Sequence, residues 1–586
     1  MFVPRLILVL LVLQTSLGAA QDVAQNVEQA VIRYSELHHP VYSSTGMVAA
    51  QSRTAAEIGA QVLADGGNAI DAAVAVGFAL AVTLPRAGNL GGGGFMLVYD
   101  AGSDTTIAID YREMAPPAAH RDMFLDENGD ADPQLSRFSR KASGVPGTVA
   151  GLHLAHQKFG RLPWRRLVQP AADLARAGIV VSRDLSQSLA GRKDRLCRHA
   201  ATCGYFFKPG GVTYKMGELL VQSDLADSLQ LIADDGPDAF YRGAIAEKIA
   251  AEMETGGGLI DMEALANYRP VVRKALYGSY RGFDIATMPP PSSGGVHVLQ
   301  MLNVLSHFPI AEMGAGSADA THLLAEVMRL AYADRSKHLG DPDFHDVPVK
   351  WLTSADYAAE LAASIDMKWA RPSDDVAPGV APAFESEDTT HFSVMDVDGN
   401  VVSNTYTLNL SYGSGISVAG AGFLLNNEMD DFVSKAGVPN AFGLLGGKAN
   451  SIQANKRPLS SMTPVIVFDD GEPWLATGSP GGSRIISAVL QMLVNVIDHG
   501  MNIADASDQP RMHHQWYPDE LRLESGFSPD TIRLLEARGH VVRAAAPSMG
   551  SVQTAAYRDK LYRGASDPRR PNAGAAAPSL IDASAH

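Results

Sequence analysis

The chain has 586 residues, 46% hydrophobic and 19% charged, a composition with ample apolar content for a large core and too little charge for disorder. Its 48 basic and 64 acidic side chains give a net charge of −16, which repels nucleic acid and anionic lipid and argues against either as a partner. Two cysteines, Cys197 and Cys203, can close one small loop in an oxidising compartment or stay as free thiols, and two alone do not complete a zinc ligand set.

Residues 1–20 read as a secretory signal. Arg5 supplies a basic start, Leu6 to Leu13 is an unbroken apolar run too short to span a bilayer, and Gly18, Ala19 and Ala20 offer a small-residue cleavage site. After a polar stretch, Thr54 and Glu57 form a capping-box pattern that opens a helix, and Gly66-Gly67-Asn68 ends it. Ala69 to Leu84 is apolar and Ala-rich, which predicts a helix buried on most sides and stopped by Pro85. A glycine run at 91–94 precedes predicted strands over Phe95–Tyr99 and Thr105–Tyr111; no Gly-Lys-Ser/Thr follows it, so it is no phosphate loop. Residues 145–365 read as mainly helical, broken at Pro and Gly clusters.

Pro372 to Asp388 is rich in proline and acid and lacks a hydrophobic period, as in an exposed linker. The chain then changes character. Phe392–Met395 and Val401–Thr407 predict two strands joined by a turn at Asp398-Gly399-Asn400, and Thr463–Phe468 with Trp474–Thr477 predicts another pair. Ile485–His499 has helical period, with Gly500 just beyond its end.

At the end of the linker stands Asp388-Thr389-Thr390-His391. A threonine hydroxyl is a weak nucleophile until a base takes its proton, and a threonine's own α-amine can be that base. An internal threonine has no free amine, so Thr389 can act this way only after the chain is cut between Asp388 and Thr389. A strand period of two puts 389 and 391 on one face, which keeps His391 open as a supporting group. Downstream, Gly478-Ser-Pro-Gly-Gly-Ser483 can present backbone N–H groups to an oxyanion or serve only as a strand-to-helix turn. Ser460 and Ser461 suit a carboxylate-binding loop, as does Arg112 at a strand end, unless it pairs with Glu113. The acidic run Asn426 to Asp431 can hold an ammonium or be a solvated turn; its spacing does not match a calcium loop. There is no Gly-x-Ser-x-Gly elbow and no His-Glu-x-x-His.

These segments together resemble the gamma-glutamyltransferase family of N-terminal-nucleophile hydrolases, from about Val48 to Arg570. In order they are GNLGGGGF at 88–95, DYREMAP at 110–116, GVPG at 144–147, TTH at 389–391, TYTLN at 405–409, NEMDDF at 427–432, RPLSSM at 457–462 and GSPGG at 478–482. The resemblance implies an α+β fold, a four-layer αββα sandwich formed jointly by a large subunit of residues 21–388 and a small subunit of residues 389–586. It implies Thr389 as nucleophile for self-cleavage and catalysis, Thr407 orienting it, and Gly481 and Gly482 donating to the oxyanion. Arg112, Ser460 and Ser461 would hold the substrate α-carboxylate, and Asn409, Glu428 and Asp431 its α-ammonium. Position 428 is Glu where some relatives carry Gln, and both accept from an ammonium. Residues 437–442 resemble the family's lid loop, with Phe442 at a position that is often Tyr.

The implied protein is a periplasmic or secreted, self-cleaving γ-glutamyl hydrolase and transferase without metal or organic cofactor. Its partners would be glutathione and other γ-glutamyl compounds, amino acid or dipeptide acceptors, and the two subunits each other, with no nucleic acid and no membrane after signal removal. An α-amine titrates near pKa ~8, so it can accept and return a proton at working pH. Two rivals are a glutaryl-type acylase of the same fold, which needs no ammonium site, and a non-catalytic amino-acid-binding protein.

Overall fold

The computed structural model describes residues 37–376, 389–435, 438, 440–441 and 444–579. Residues 1–20, read above as a signal, and Asp388 and Phe442 lie outside the described residues. Both large sheets belong to one unit, Pro40–His586.

Fourteen strands make these two antiparallel seven-stranded sheets. In chain order they are β1 (Val41–Ser43), β2 (Gly46–Ala50), β3 (Gly93–Asp100), β4 (Thr105–Tyr111), β5 (Val271–Lys274), β6 (Leu276–Tyr280), β7 (Phe283–Thr287), β8 (Thr389–Asp396), β9 (Val401–Thr407), β10 (Val465–Asp469), β11 (Glu472–Thr477), β12 (Gln553–Arg558), β13 (Leu561–Ser566) and β14 (Gly574–Ala576). One sheet runs β1-β13-β12-β11-β10-β7-β6 and the other β14-β2-β8-β9-β3-β4-β5. Each sheet therefore mixes strands from before and after residue 388.

Strand alternation sorts the side chains of β8. Phe392 and Val394 join an apolar cluster with helices α1 (Arg53–Ala64) and α2 (Ala69–Thr83). Met395, of opposite parity, joins a second cluster with Val467 and Leu475 of the other sheet and with helices α3 (Gly294–Leu305), α4 (Ala318–His338) and α5 (Arg484–Ile497). Small hydroxyls tie the sheets together where they face: Ser393 Oγ donates to Gln553 O at 3.0 Å and Ser403 Oγ to Thr477 O at 3.1 Å. Helix α6 (Pro529–Ala537) lies further along the chain.

Helix α2 is buried along nearly its whole length, as its composition predicts. The capping is different from the expected pattern. Ser52, not Thr54, caps α1, accepting from Ala55 N at 3.4 Å, because Thr54 and Glu57 already sit inside the helix. The reciprocal capping box belongs to α2: Asp71 N donates to Asn68 Oδ1 at 2.9 Å, and Asn68 N donates to Asp71 Oδ2 at 3.1 Å. Within the stretch read as mainly helical, residues 271–287 instead form β5, β6 and β7. The Cys197 and Cys203 sulfurs are bonded, with their Cα atoms 4.4 Å apart. Among the described residues no helix is long and apolar enough to cross a membrane.

Candidate active site

The β8 and β9 ladder pairs Thr389, first residue of one strand, with Thr407, last of the other. Their hydroxyls meet at 3.2 Å, and Asn409 N donates to Thr407 Oγ1 at 2.9 Å. Asn409 has a φ of +73°, a left-handed turn that Asn tolerates better than most residues. Its Nδ2 donates to Asn427 O at 2.9 Å, while Asn427 Oδ1 accepts from Leu410 N at 3.1 Å. These bonds clamp the end of β9 against the acidic run. Asn89, in the first glycine segment, adds a third hold, donating to Thr407 O at 2.9 Å.

A small cavity opens beside Thr389. Thr407, Asn409, Glu428, Asp431, Arg112, Ser460, Ser461 and Gly482 line it, together with Arg335, Leu444, Met462 and Ile485. All the residues singled out in the sequence for substrate or nucleophile therefore converge there, with Gly481 adjoining Gly482. A larger cavity of about 840 Å³, between the start of α4 and α5, carries none of them.

Arg112 is almost fully buried and engaged on every side. Nη1 pairs with Glu428, Nη2 donates to Asp431 Oδ2 at 2.6 Å and to Leu459 O at 3.3 Å, and Nε donates to Pro458 O at 3.2 Å. Sequence reasoning separates a cationic from an acidic end; the structure folds both into one ion-paired cluster. Burial works against the Arg112 charge, but Glu428 and Asp431 outweigh it and hold its pKa above the usual arginine value. Burial also pushes the Glu428 carboxyl well up, against the pull of Arg112, and Asp431 moves the same way. Neighbouring Glu113 is pushed up to about 7, again by burial with Arg112 opposing.

Two buried acceptors in the cavity lining, Asn409 Oδ1 and Glu428 Oε2, have no donor among the described residues. An unsatisfied buried acceptor costs about 1–3 kcal/mol, and a bound cationic donor would remove that cost.

Arg335, in the last turn of α4, is the functional candidate that sequence reasoning missed. Its guanidinium is buried, with Nε donating to Ser293 Oγ at 2.9 Å and Nη2 to Ser461 Oγ at 3.2 Å. It makes no ion pair with a carboxylate among the described residues, and burial brings it down to about 10. In the sequence a cation in the last turn of a helix reads as complementing the helix dipole, which hides any other role.

His391 shares the face of Thr389, as the strand period predicts, but both its nitrogens are occupied elsewhere. Nδ1 meets Thr405 Oγ1 at 2.8 Å and Nε2 meets Ser393 Oγ at 3.0 Å. Burial lowers its pKa to about 3, so the ring is neutral. Its ring packs against Gly478, where an added Cβ would come within 2.4 Å of Cε1. Gly478→Ala is therefore expected to destabilise the protein by roughly 1–3 kcal/mol, read by urea unfolding. His391→Ala in the same chain should recover part of that loss, and strict additivity of the two changes would speak against the contact.

The loop from Gly478 carries Gly481 at φ +133° and Gly482 at φ +56°, just before α5. Neither amide donates to an acceptor among the described residues. The turn thus leaves two successive N–H groups without acceptors next to the cavity that Gly482 lines, as an oxyanion site requires.

The Gamma-glutamyltranspeptidase family matches residues 55–577. The glutathione hydrolase proenzyme of Escherichia coli K12 is 53% identical over 553 residues, covering 94% of each chain. The crystal structure of cephalosporin acylase from Bacillus halodurans superposes with a TM-score of 0.82 at 26% identity, over 94% of this chain and 99% of that one. A chain of Helicobacter pylori gamma-glutamyltranspeptidase matches at 42% identity and a TM-score of 0.55, covering 59% of this chain and 97% of its own. With residues of six of the eight ordered motifs lining the cavity at Thr389 and a match along most of the chain, this protein belongs to the gamma-glutamyltranspeptidase family.

Proposed function

We propose that the chain is the precursor of a periplasmic or secreted glutathione hydrolase and γ-glutamyltransferase, with Thr389 as its nucleophile. In the precursor, Thr389 Oγ1 attacks the Asp388 carbonyl carbon, the acyl group passes from nitrogen to oxygen, and water hydrolyses the ester. That leaves residues 389–586 with a free α-amine and residues 21–388 as the other subunit of a jointly built four-layer αββα sandwich. In the mature protein the amine takes the Oγ1 proton as the oxygen attacks the γ-amide carbon. The Gly481 and Gly482 amides receive the oxyanion, and the protonated amine returns its proton to the departing nitrogen. Water or the amine of an amino acid or dipeptide then takes the γ-glutamyl group from the threonyl ester.

The observation that carries this reading is the unmet polar demand of the cavity. Asn409 Oδ1 and Glu428 Oε2 lack donors, and Arg335 beside Ser461 lacks a carboxylate. A glutamyl head group brings an ammonium and a carboxylate, so it answers both. Asp431 and Ser460 complete the two ends. Arg112 acts through Glu428 and Asp431, holding them in place until the ammonium arrives, and shares the carboxylate once they turn to it.

The alternative is a glutaryl-type acylase, which the likeness to the Bacillus halodurans enzyme keeps in view. A glutaryl group offers no ammonium to the two empty acceptors. Turnover of γ-glutamyl p-nitroanilide should exceed that of glutaryl p-nitroanilide by at least about 100-fold in kcat/KM, because a site built to accept hydrogen bonds rejects an analogue that cannot give them. Equal turnover of the two anilides would reverse the assignment.

A further inference from the structure

Apart from the cavity, α4 carries His322 and Glu326 four residues apart, hence on one helical face. His540, just past the end of α6, meets them. One ring nitrogen of each histidine and a Glu326 oxygen all lie within 4.8 Å of one another, and all three residues are buried. The two imidazole nitrogens are only 2.7 Å apart. His322 Nε2 meets Asp366 O at 2.8 Å, which fixes the proton on Nε2 and turns the Nδ1 lone pair inward. That outer contact is how metal-ligating imidazoles are usually oriented. His540 Nε2–H therefore donates to His322 Nδ1 when no ion is bound, while His540 Nδ1 has no partner among the described residues.

We propose that His322, Glu326 and His540 form a structural site for a divalent transition-metal ion of zinc type. Two imidazoles and a carboxylate are a ligand set that suits zinc, with water as the fourth ligand. On binding, the His540 Nε2 proton passes to water and Nδ1 takes one up from water, so both lone pairs face the ion with no net release of protons. The imidazoles spread by a few tenths of an ångström to straddle it. Glu326 turns from Arg329 to the metal, and Arg329 keeps Asp519 Oδ1 at 3.2 Å as its counter-charge. Burial keeps His322 and His540 neutral, the form a metal requires.

The ion would join a helix that precedes residue 388 to a turn that follows it. Arg335 lies thirteen residues further along the same helix, about 20 Å away at 1.5 Å per residue, so the site is separate from the chemistry at Thr389.

The test uses tag-free full-length protein from cells grown with added zinc, washed with a chelator and analysed by elemental mass spectrometry. About one zinc per chain is expected, with the metal lost in His322→Gln/His540→Gln, whose amides can still bond to each other. Cobalt grown into the parent protein should give a visible absorption band that the double variant lacks. The parent should unfold at a higher temperature with zinc than without, the double variant at the same temperature in both, and γ-glutamyl turnover should not change. Zinc-free parent protein after growth in zinc would overturn the proposal, and so would equal zinc in parent and double variant.

Discussion

Thr389→Ala is expected to remain a single chain after expression and purification, and to release no measurable γ-glutamyl product. Removing a nucleophile that acts with its own base costs roughly 10⁴-fold or more in rate. Here the loss should be doubled in kind, since the missing hydroxyl also prevents the cut that frees the amine. Intact mass and N-terminal sequencing of the parent should give a fragment beginning Thr-Thr-His-Phe, and the variant should give none. Thr389→Ser keeps a hydroxyl at the same point on β8 and should still split, more slowly. A Thr389→Ala protein that separates into two chains would remove the basis for self-cleavage, whatever its activity.

The second large effect is expected at Arg335. Arg335→Gln keeps a donor for Ser293 and Ser461 but removes the buried charge. If that charge meets the substrate carboxylate, KM for a γ-glutamyl anilide should rise by about 10- to 150-fold, the value of one charge-assisted hydrogen bond at 1.5–3 kcal/mol. The inhibition constant of free glutamate should rise in parallel. Processing should proceed normally, because the Asp388-Thr389 bond is already in place and needs no carboxylate clamp. A merely structural arginine would predict the reverse: slower processing and a lower melting temperature, with KM unmoved.

The make-up of the cavity was legible in the sequence wherever a short motif supplies its lining. Thr389, Thr407, Gly482 and the Ser460-Ser461 pair, each from a different motif, line it together. What the sequence hid was what depends on partners far along the chain. Arg112 meets Glu428 and Asp431 across more than three hundred residues, so its saturation is invisible locally. Arg335 looks like an ordinary helix-end cation until the helix is seen buried on almost every side. The strands at 271–287 show alternation, but they lie in a stretch dominated by helical signals, and only pairing with β4 and β10 reveals them. His391 was correctly placed on the face of Thr389, yet only the structure shows its nitrogens committed to Thr405 and Ser393.

If the chain is cut after Asp388, as proposed, the interleaved strand order decides how the mature protein comes apart. Strand β2, from before the cut, lies between β14 and β8 from after it, and β9 pairs with β3 across the same divide. No plane through the sheets separates the two polypeptides. Shedding one would rip ladders out of the middle of both sheets, so dissociation and unfolding should be a single event governed by an activation barrier. The intact precursor refolds as one molecule, whereas the severed pair must first find each other. Recovery after denaturation should therefore be first-order before the cut and dilution-sensitive after it, making the cleavage a one-way door for folding as well as for chemistry.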